Sequence, residues 1–306
     1  MMRRYLALAV WLVIVITTAV FSPTVALQVT ISSPRSSFVE GEPVYVWVDY
    51  YNDTGEEVGL PNWCLFGFDV LKVRTRDGEM VLRAGQQVTR APRGRSNEIQ
   101  QVGPREHVVL FANLLDHVNL TEADSYDIQI VMSNQAPESL LDPENPALPA
   151  SKLVHGPIQS NHWEFTITPG SGESFDLVAK PLREKTAGTF GLCQNATLIV
   201  EKYLSSPYGP YAVMCEVDRL LYGEGQGPVP LKDRLPSAEA LVKELRRVRP
   251  GFEYLDIALI RYAERLGRVG QIETASKLLS KLQREEHNEV GRLYIGKLLS
   301  GLPGTK

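Results

Sequence analysis

The chain has 306 residues, 43% of them hydrophobic and 22% charged, which is enough apolar material for real cores and, at this length, about two domains. The formal charge is -4 and no basic stripe is present, which argues against a nucleic-acid partner. Three cysteines, Cys64, Cys193 and Cys215, are too few for a disulfide-built scaffold, and none has CxxC spacing, so no metal or other cofactor is expected.

The chain opens Met1-Met2-Arg3-Arg4, runs apolar from Tyr5 to Phe21, breaks at Ser22-Pro23 and reaches Thr24-Val25-Ala26. A positive start, an apolar middle and a small-residue end make residues 1–26 a predicted signal peptide. The apolar run is shorter than the roughly 20 residues of a spanning helix. The protein is therefore expected to be exported, periplasmic or extracellular, and to start at Leu27. The alternative is an uncleaved anchor through residues 5–21, which would be its route to a membrane. N-terminal sequencing of the exported protein separates the two: a Leu27 start is expected, and an intact Met1 would mean an anchor.

From Leu27 to about Thr168 the apolar pattern has period two. Val44, Val46, Val48 and Tyr50 alternate with Tyr45, Trp47, Asp49 and Tyr51. Tyr126, Ile128, Ile130 and Met132 alternate with Asp127, Gln129 and Val131, and Trp163, Phe165 and Ile167 with His162, Glu164 and Thr166. Such alternation places one face in a core and the other toward water. Further strands are predicted at 28–32, 68–75 and 108–112. Turn signals separate them, and several short strands with turns between predict an antiparallel sandwich over 27–170. The loop 133–158 is long, polar and rich in proline.

Glu40-Gly41-Glu42-Pro43 leads into an alternating strand, followed by Asn52-Asp53-Thr54 and a strand ending at Asp77-Gly78. Val102-Gly103-Pro104 and Ala123-Asp124-Ser125-Tyr126 complete the pattern. It resembles the exported bacterial immunoglobulin-like domains and is similar to the bacterial intracellular proteinase inhibitor family, which has such a sandwich.

Pro169-Gly170-Ser171-Gly172 reads as a linker, after which the apolar spacing becomes helical. Residues 173–306 are predicted to form an α-helical domain, separable from the strands by limited proteolysis. Leu255, Leu259, Tyr262, Ala263 and Leu266 form one stripe, and Ala275, Leu278, Leu279 and Leu282 another, with Gly267 and Gly270 between. Residues 256–289 resemble one tetratricopeptide repeat of about 34 residues. Tyr262-Ala263 stands at the packing pair, Gly270 at the turn and Ala275 at the close contact, with His287 where proline normally closes the unit. Residues 211–222 and 237–248 make a degenerate preceding unit closed by Pro250, its turn swollen by the glycine-rich stretch that starts at Gly223. A helix at 190–204 and a capping helix at 288–299 flank these units. By this resemblance Ile257, Ile260 and Glu264 would line a binding groove; the equal alternative is that the isoleucines fill core.

No assembled chemistry is visible. The histidines form no HExxH motif, and Glu285-Glu286-His287-Asn288-Glu289 offers one histidine where a zinc hydrolase needs two on one helical face. His162 and Glu164 share the water-facing side of a strand. Gly223-Glu224-Gly225-Gln226-Gly227 follows no strand, so it is no dinucleotide loop. Cys64 has no local histidine base. Cys193 and Cys215 are predicted to form a disulfide, because the short turn between their helices makes those helices antiparallel neighbours.

The sequence therefore predicts an exported, non-enzymatic binding or scaffold protein whose partner is another protein or peptide. The first alternative is a protease inhibitor acting through a loop at 91–94 or 133–158. The second is a hydrolase with an unrecognised site.

Overall fold

The computed structural model describes residues 27–61, 71–79, 81, 99–132, 158–183, 190–222, 230–285 and 289–302. The predicted leader, Cys64, the loops at 91–94 and 133–157, the glycine-rich loop from Gly223 and His287 lie outside these residues. Strands occupy the N-terminal half and helices the C-terminal half. No helix among the described residues is long and apolar enough to cross a membrane.

The strands are β1 (Gln28–Ser32), β2 (Ser37–Val39), β3 (Tyr45–Tyr51), β4 (Val58–Pro61), β5 (Leu71–Thr75), β6 (Ile99–Val102), β7 (His107–Asn113), β8 (Ser125–Met132), β9 (Ile158–Gln159) and β10 (Trp163–Thr168). One sheet has the order β1-β3-β7, a second runs β2-β10-β8-β5 with β9 added to β8, and β4 pairs with β6. The pairing is antiparallel except between β2 and β10, which run parallel, in departure from the expected all-antiparallel arrangement. The chain crosses from β1 in one sheet to β2 at the edge of the other, and there it meets the last strand. Asn161 ties the two sheets: its Oδ1 accepts from Ile31 N at 2.7 Å and its Nδ2 donates to Ile31 O at 3.0 Å.

Asn52 explains the turn chemistry read as Asn52-Asp53-Thr54. It is fully buried, and its amide nitrogen donates to the carbonyls of Glu56, Val102 and Gly103 while Oδ1 accepts from Thr54 N. One side chain thus closes two loops.

The helices are α1 (Glu173–Arg183), α2 (Phe190–Gln194), α3 (Ala196–Tyr203), α4 (Gly209–Tyr222), α5 (Leu231–Val248), α6 (Leu255–Arg268), α7 (Ile272–Glu285) and α8 (Glu289–Gly301). The predicted helix at 190–204 is two helices hinged at Asn195, whose Nδ2 donates to Leu177 O at 2.8 Å and so anchors the break on α1. α4 packs on α5, α6 on α7, and α7 on α8. Gly270 takes φ 87° at the α6–α7 turn, a left-handed backbone that glycine adopts without strain.

A disulfide joins Cys193 on α2 to Cys215 on α4, with Cα atoms 5.3 Å apart. The sequence separation is 22, and cross-linking a loop of that size stabilises by about 3 kcal/mol in the chain-entropy model. Cys215→Ser is expected to lower the urea midpoint accordingly; a midpoint equal to wild type would show that the bridge contributes nothing.

One expectation fails instructively. β3 does not turn one face to water: Tyr45 and Trp47 are 5% and 3% exposed, although they alternate with the core valines. The helical half covers that face. Tyr254, just before α6, is wholly buried; its hydroxyl donates to Tyr45 O at 3.2 Å and bonds Ser33 Oγ at 2.9 Å. Trp47 packs on Tyr294 of α8 with ring centres 5.3 Å apart. A single apolar cluster runs from Leu27 and Ile31 through Phe38 and Tyr45 to Tyr211, Tyr254 and Ala275. The boundary at 169–172 falls between β10 and α1, yet the core continues across it.

Candidate functional site

The seam between the strands and the helices holds a buried polar cluster. At its centre Glu42 is 3% exposed. Arg35 grips it with Nη1 to Oε1 at 2.6 Å and Nη2 to Oε2 at 3.1 Å, and Val39 N donates to Oε2 at 2.8 Å. From the helical side Tyr211 of α4 donates to Oε1 at 2.9 Å, and Tyr208 donates to Glu40 O at 2.7 Å. Burial pushes the Glu42 carboxyl above the usual carboxylate range despite the arginine. Burial, with Glu42 alongside, holds the Tyr211 phenol well above its ordinary value, so it remains a neutral donor. The cluster is a clasp between the halves. The guanidinium also lies over the Phe38 ring, 4.6 Å from its centre.

Apart from this clasp, an open cleft of about 340 Å³ lies between β3, β7, α6 and α8. Its walls are the rings of Tyr45, Phe111 and Tyr294, and its rim carries Asp116, His117, Arg261 and Glu264. Tyr45 and Phe111 stand 4.7 Å apart between ring centres, and Trp47 backs Phe111 at 4.8 Å. Arg261 donates to Asp218 at 2.9 Å and lies 3.5 Å from the Tyr45 hydroxyl. Asp218 also takes Arg265 at 3.1 Å. Burial and then Glu264 push the Tyr294 phenol up to about 12.

Of the residues predicted to line a groove, Ile257 and Ile260 are 4% and 0% exposed and fill the core. Ile257 packs in the large core that reaches the strands, and Ile260 in a smaller cluster with Ala263, Leu279, Leu282 and Ile295 of the helices, while α4 and α6 turn Tyr211 and Arg261 toward the strands. Only Glu264 reaches a cleft, where it pairs with Arg268. Sequence reading missed Tyr45, Phe111, Asn113 and Tyr294, because alternation assigned the outer face of β3 to water and gave no sign of what would cover it.

Two histidine–carboxylate pairs among the described residues are strand contacts. His162 Nδ1 meets Asp127 at 2.8 Å with the ring 62% exposed, and His107 Nδ1 meets Asp49 at 3.0 Å beneath a stacked Tyr51. Among the described residues no three histidine, cysteine or acidic side chains gather as a metal site.

No family model matches the chain, and no curated protein matches it. Among solved structures it is similar to the CARDB domain of a Pyrococcus furiosus protein, crystallised in complex with di-metal ions, at 18% identity and a TM-score of 0.22, over 47% of this chain and 94% of that one. It is also similar to Salmonella alpha-2-macroglobulin reacted with methylamine, at 14% identity and a TM-score of 0.25, over 92% of this chain but 22% of that one. The chain thus spans under a quarter of the length of that larger protein.

Proposed function

We propose that the chain is an exported, non-enzymatic binding or scaffold protein that takes a protein or peptide segment in the cleft beside the strand–helix seam. In this reading the strands form an immunoglobulin-like sandwich and the helices a stack of tetratricopeptide type. The stack reading is supported by burial at the repeat positions: Ala263, Ala275 and Leu279 are 0% exposed and Leu282 2%. The disulfide is compatible with an oxidising compartment.

The observation that carries the binding role is the cleft itself, with aromatic walls and an ionic rim built by both halves of the chain. Aromatic rings supply contact area at low entropic cost, and a charged rim supplies orientation. Neither half forms it alone, so fusing the two modules creates a surface that a sandwich or a helical stack by itself lacks. The test is fluorescence titration of the mature protein with a library of short peptides, wild type against Phe111→Ala and the rim variant Asp116→Lys. Binding weakened about tenfold in both is expected, the loss of one good interfacial contact. Binding indifferent to both variants, or stoichiometric inhibition of a protease panel with an unaltered cleft, would overturn the reading.

A further inference from the structure

We infer that the Cys193–Cys215 bridge is a redox-sensitive latch: reduction by a dithiol releases α2 from α1 and α4 and leaves the rest of the fold in place. The bridge lies at the surface, with Cys193 exposed and Cys215 half-buried. Exposed disulfides are the labile ones, because a thiolate must reach a sulfur to attack it. The step exchanges one bond for another. A thiolate of the dithiol attacks the bridge and expels one cysteine as thiolate, and the reagent's second thiol then displaces the other. Two electrons pass to the bridge, the reagent leaves as its own disulfide, and its two protons end on Cys193 and Cys215.

What the bridge holds is a helix too short to hold itself. α2 has five residues. An α-helix leaves its first four N–H and last four C=O groups without internal partners, and a single turn does not offset the cost of nucleating it. Tertiary contacts therefore keep α2 in place: it packs on α1 and α4, with Leu192 2% exposed in the core. Reduction removes the covalent tie between α2 and α4. The neighbouring elements have anchors of their own. Asn195, at the hinge, donates Nδ2 to Leu177 O at 2.8 Å, and Thr197 of α3 donates Oγ1 to Glu216 at 2.6 Å. α4 is held to the strands by Tyr211 on Glu42 at 2.9 Å, and to α6 by Arg261 on Asp218 at 2.9 Å. Opening therefore stops at Asn195 and does not reach the seam, a local unfolding rather than a global one. It vacates the buried site of Leu192 and uncovers the sides of α1 and α4 on which α2 lies.

The test is amide hydrogen exchange of the mature chain with and without dithiothreitol, in native buffer. Alkylation with peptide mapping identifies the freed thiols, and the double variant Cys193→Ser with Cys215→Ser serves as the permanently open form. Cys193 and Cys215 are both expected to become alkylated in the folded protein. Exchange over 190–194 should rise at least about tenfold, toward that of an unstructured segment, while β3, β7 and α6 remain protected. The double variant should show the fast exchange without reductant and no further change with it; reduced wild type decides if that variant does not fold. A bridge that yields to dithiothreitol only when the chain is unfolded would overturn the inference. So would a reduced protein whose α2 stays protected, and so would protection lost from β3 and α6 together with α2, which would make the bridge a staple of the whole fold.

Discussion

Tyr254→Ala is expected to destabilise the whole chain by about 3–5 kcal/mol, the cost of emptying a large buried aromatic site. Its ring meets Phe38 and Tyr45 of the strands and Tyr211 and Phe252 of the helices, with centres between 5.4 and 6.4 Å. Its hydroxyl closes on Ser33 and on the Tyr45 carbonyl. One truncation therefore opens a cavity between the halves and removes the hydroxyl's contacts with Ser33 and the Tyr45 carbonyl. Urea unfolding followed by strand and helix signals should show the same loss in both. A loss confined to the helical signal would mean that Tyr254 packs only its own half. Tyr254→Phe keeps the ring and should cost only about 1 kcal/mol, the net worth of its hydrogen bonds.

Glu42→Ala should cost about 3 kcal/mol, because removing one partner of a buried ion pair leaves the other uncompensated. Arg35 would lose both carboxylate contacts at 19% side-chain exposure, and the hydroxyl of Tyr211 would lose its acceptor. The pair as a whole is a different matter. Burial outweighs the arginine at Glu42 and raises the folded carboxyl above its ordinary value. The folded state thus binds the proton more tightly than the unfolded chain, and stability from this group rises as pH falls from the folded value through the ordinary carboxylate range. Glu42→Gln should therefore gain on wild type as pH rises through that window, and Arg35→Met combined with Glu42→Leu should be nearly neutral. A double variant as damaged as Glu42→Ala would show the clasp to be a true net stabiliser. Stability curves against pH for the three variants give the comparison.

What the sequence displays is local, and what it hides is docking. Strands β1, β3, β7, β8 and β10 follow from alternation, and α6 and α7 from apolar spacing around Gly270, because each pattern reflects its element's own buried face. α1 was not expected, since Pro181 sits in its last turns, and Pro236 concealed the first residues of α5. Short β2, β4 and β9 carry too few residues to show a period. The Cys193–Cys215 bridge was legible because a short turn folds the segment 190–203 back along α4, although that segment is two helices and Cys193 sits on the first, α2, which packs on α4 directly. The cleft was not, since Tyr45 and Trp47 read as water-facing until the helices cover them. Ile257 and Ile260 were legible as buried-stripe residues, and packing onto the strands for the first and among the helices for the second leaves them no groove to line.

Shared packing across the 169–172 boundary is the claim on which the cleft depends, and scanning calorimetry of the mature wild-type chain tests it most directly. The predicted result is one transition whose calorimetric and van 't Hoff enthalpies agree, shifted as a whole by Tyr254→Ala. Two transitions, with the variant moving only the second, would show that strands and helices fold apart and that the cleft between them is not a fixed feature of the molecule.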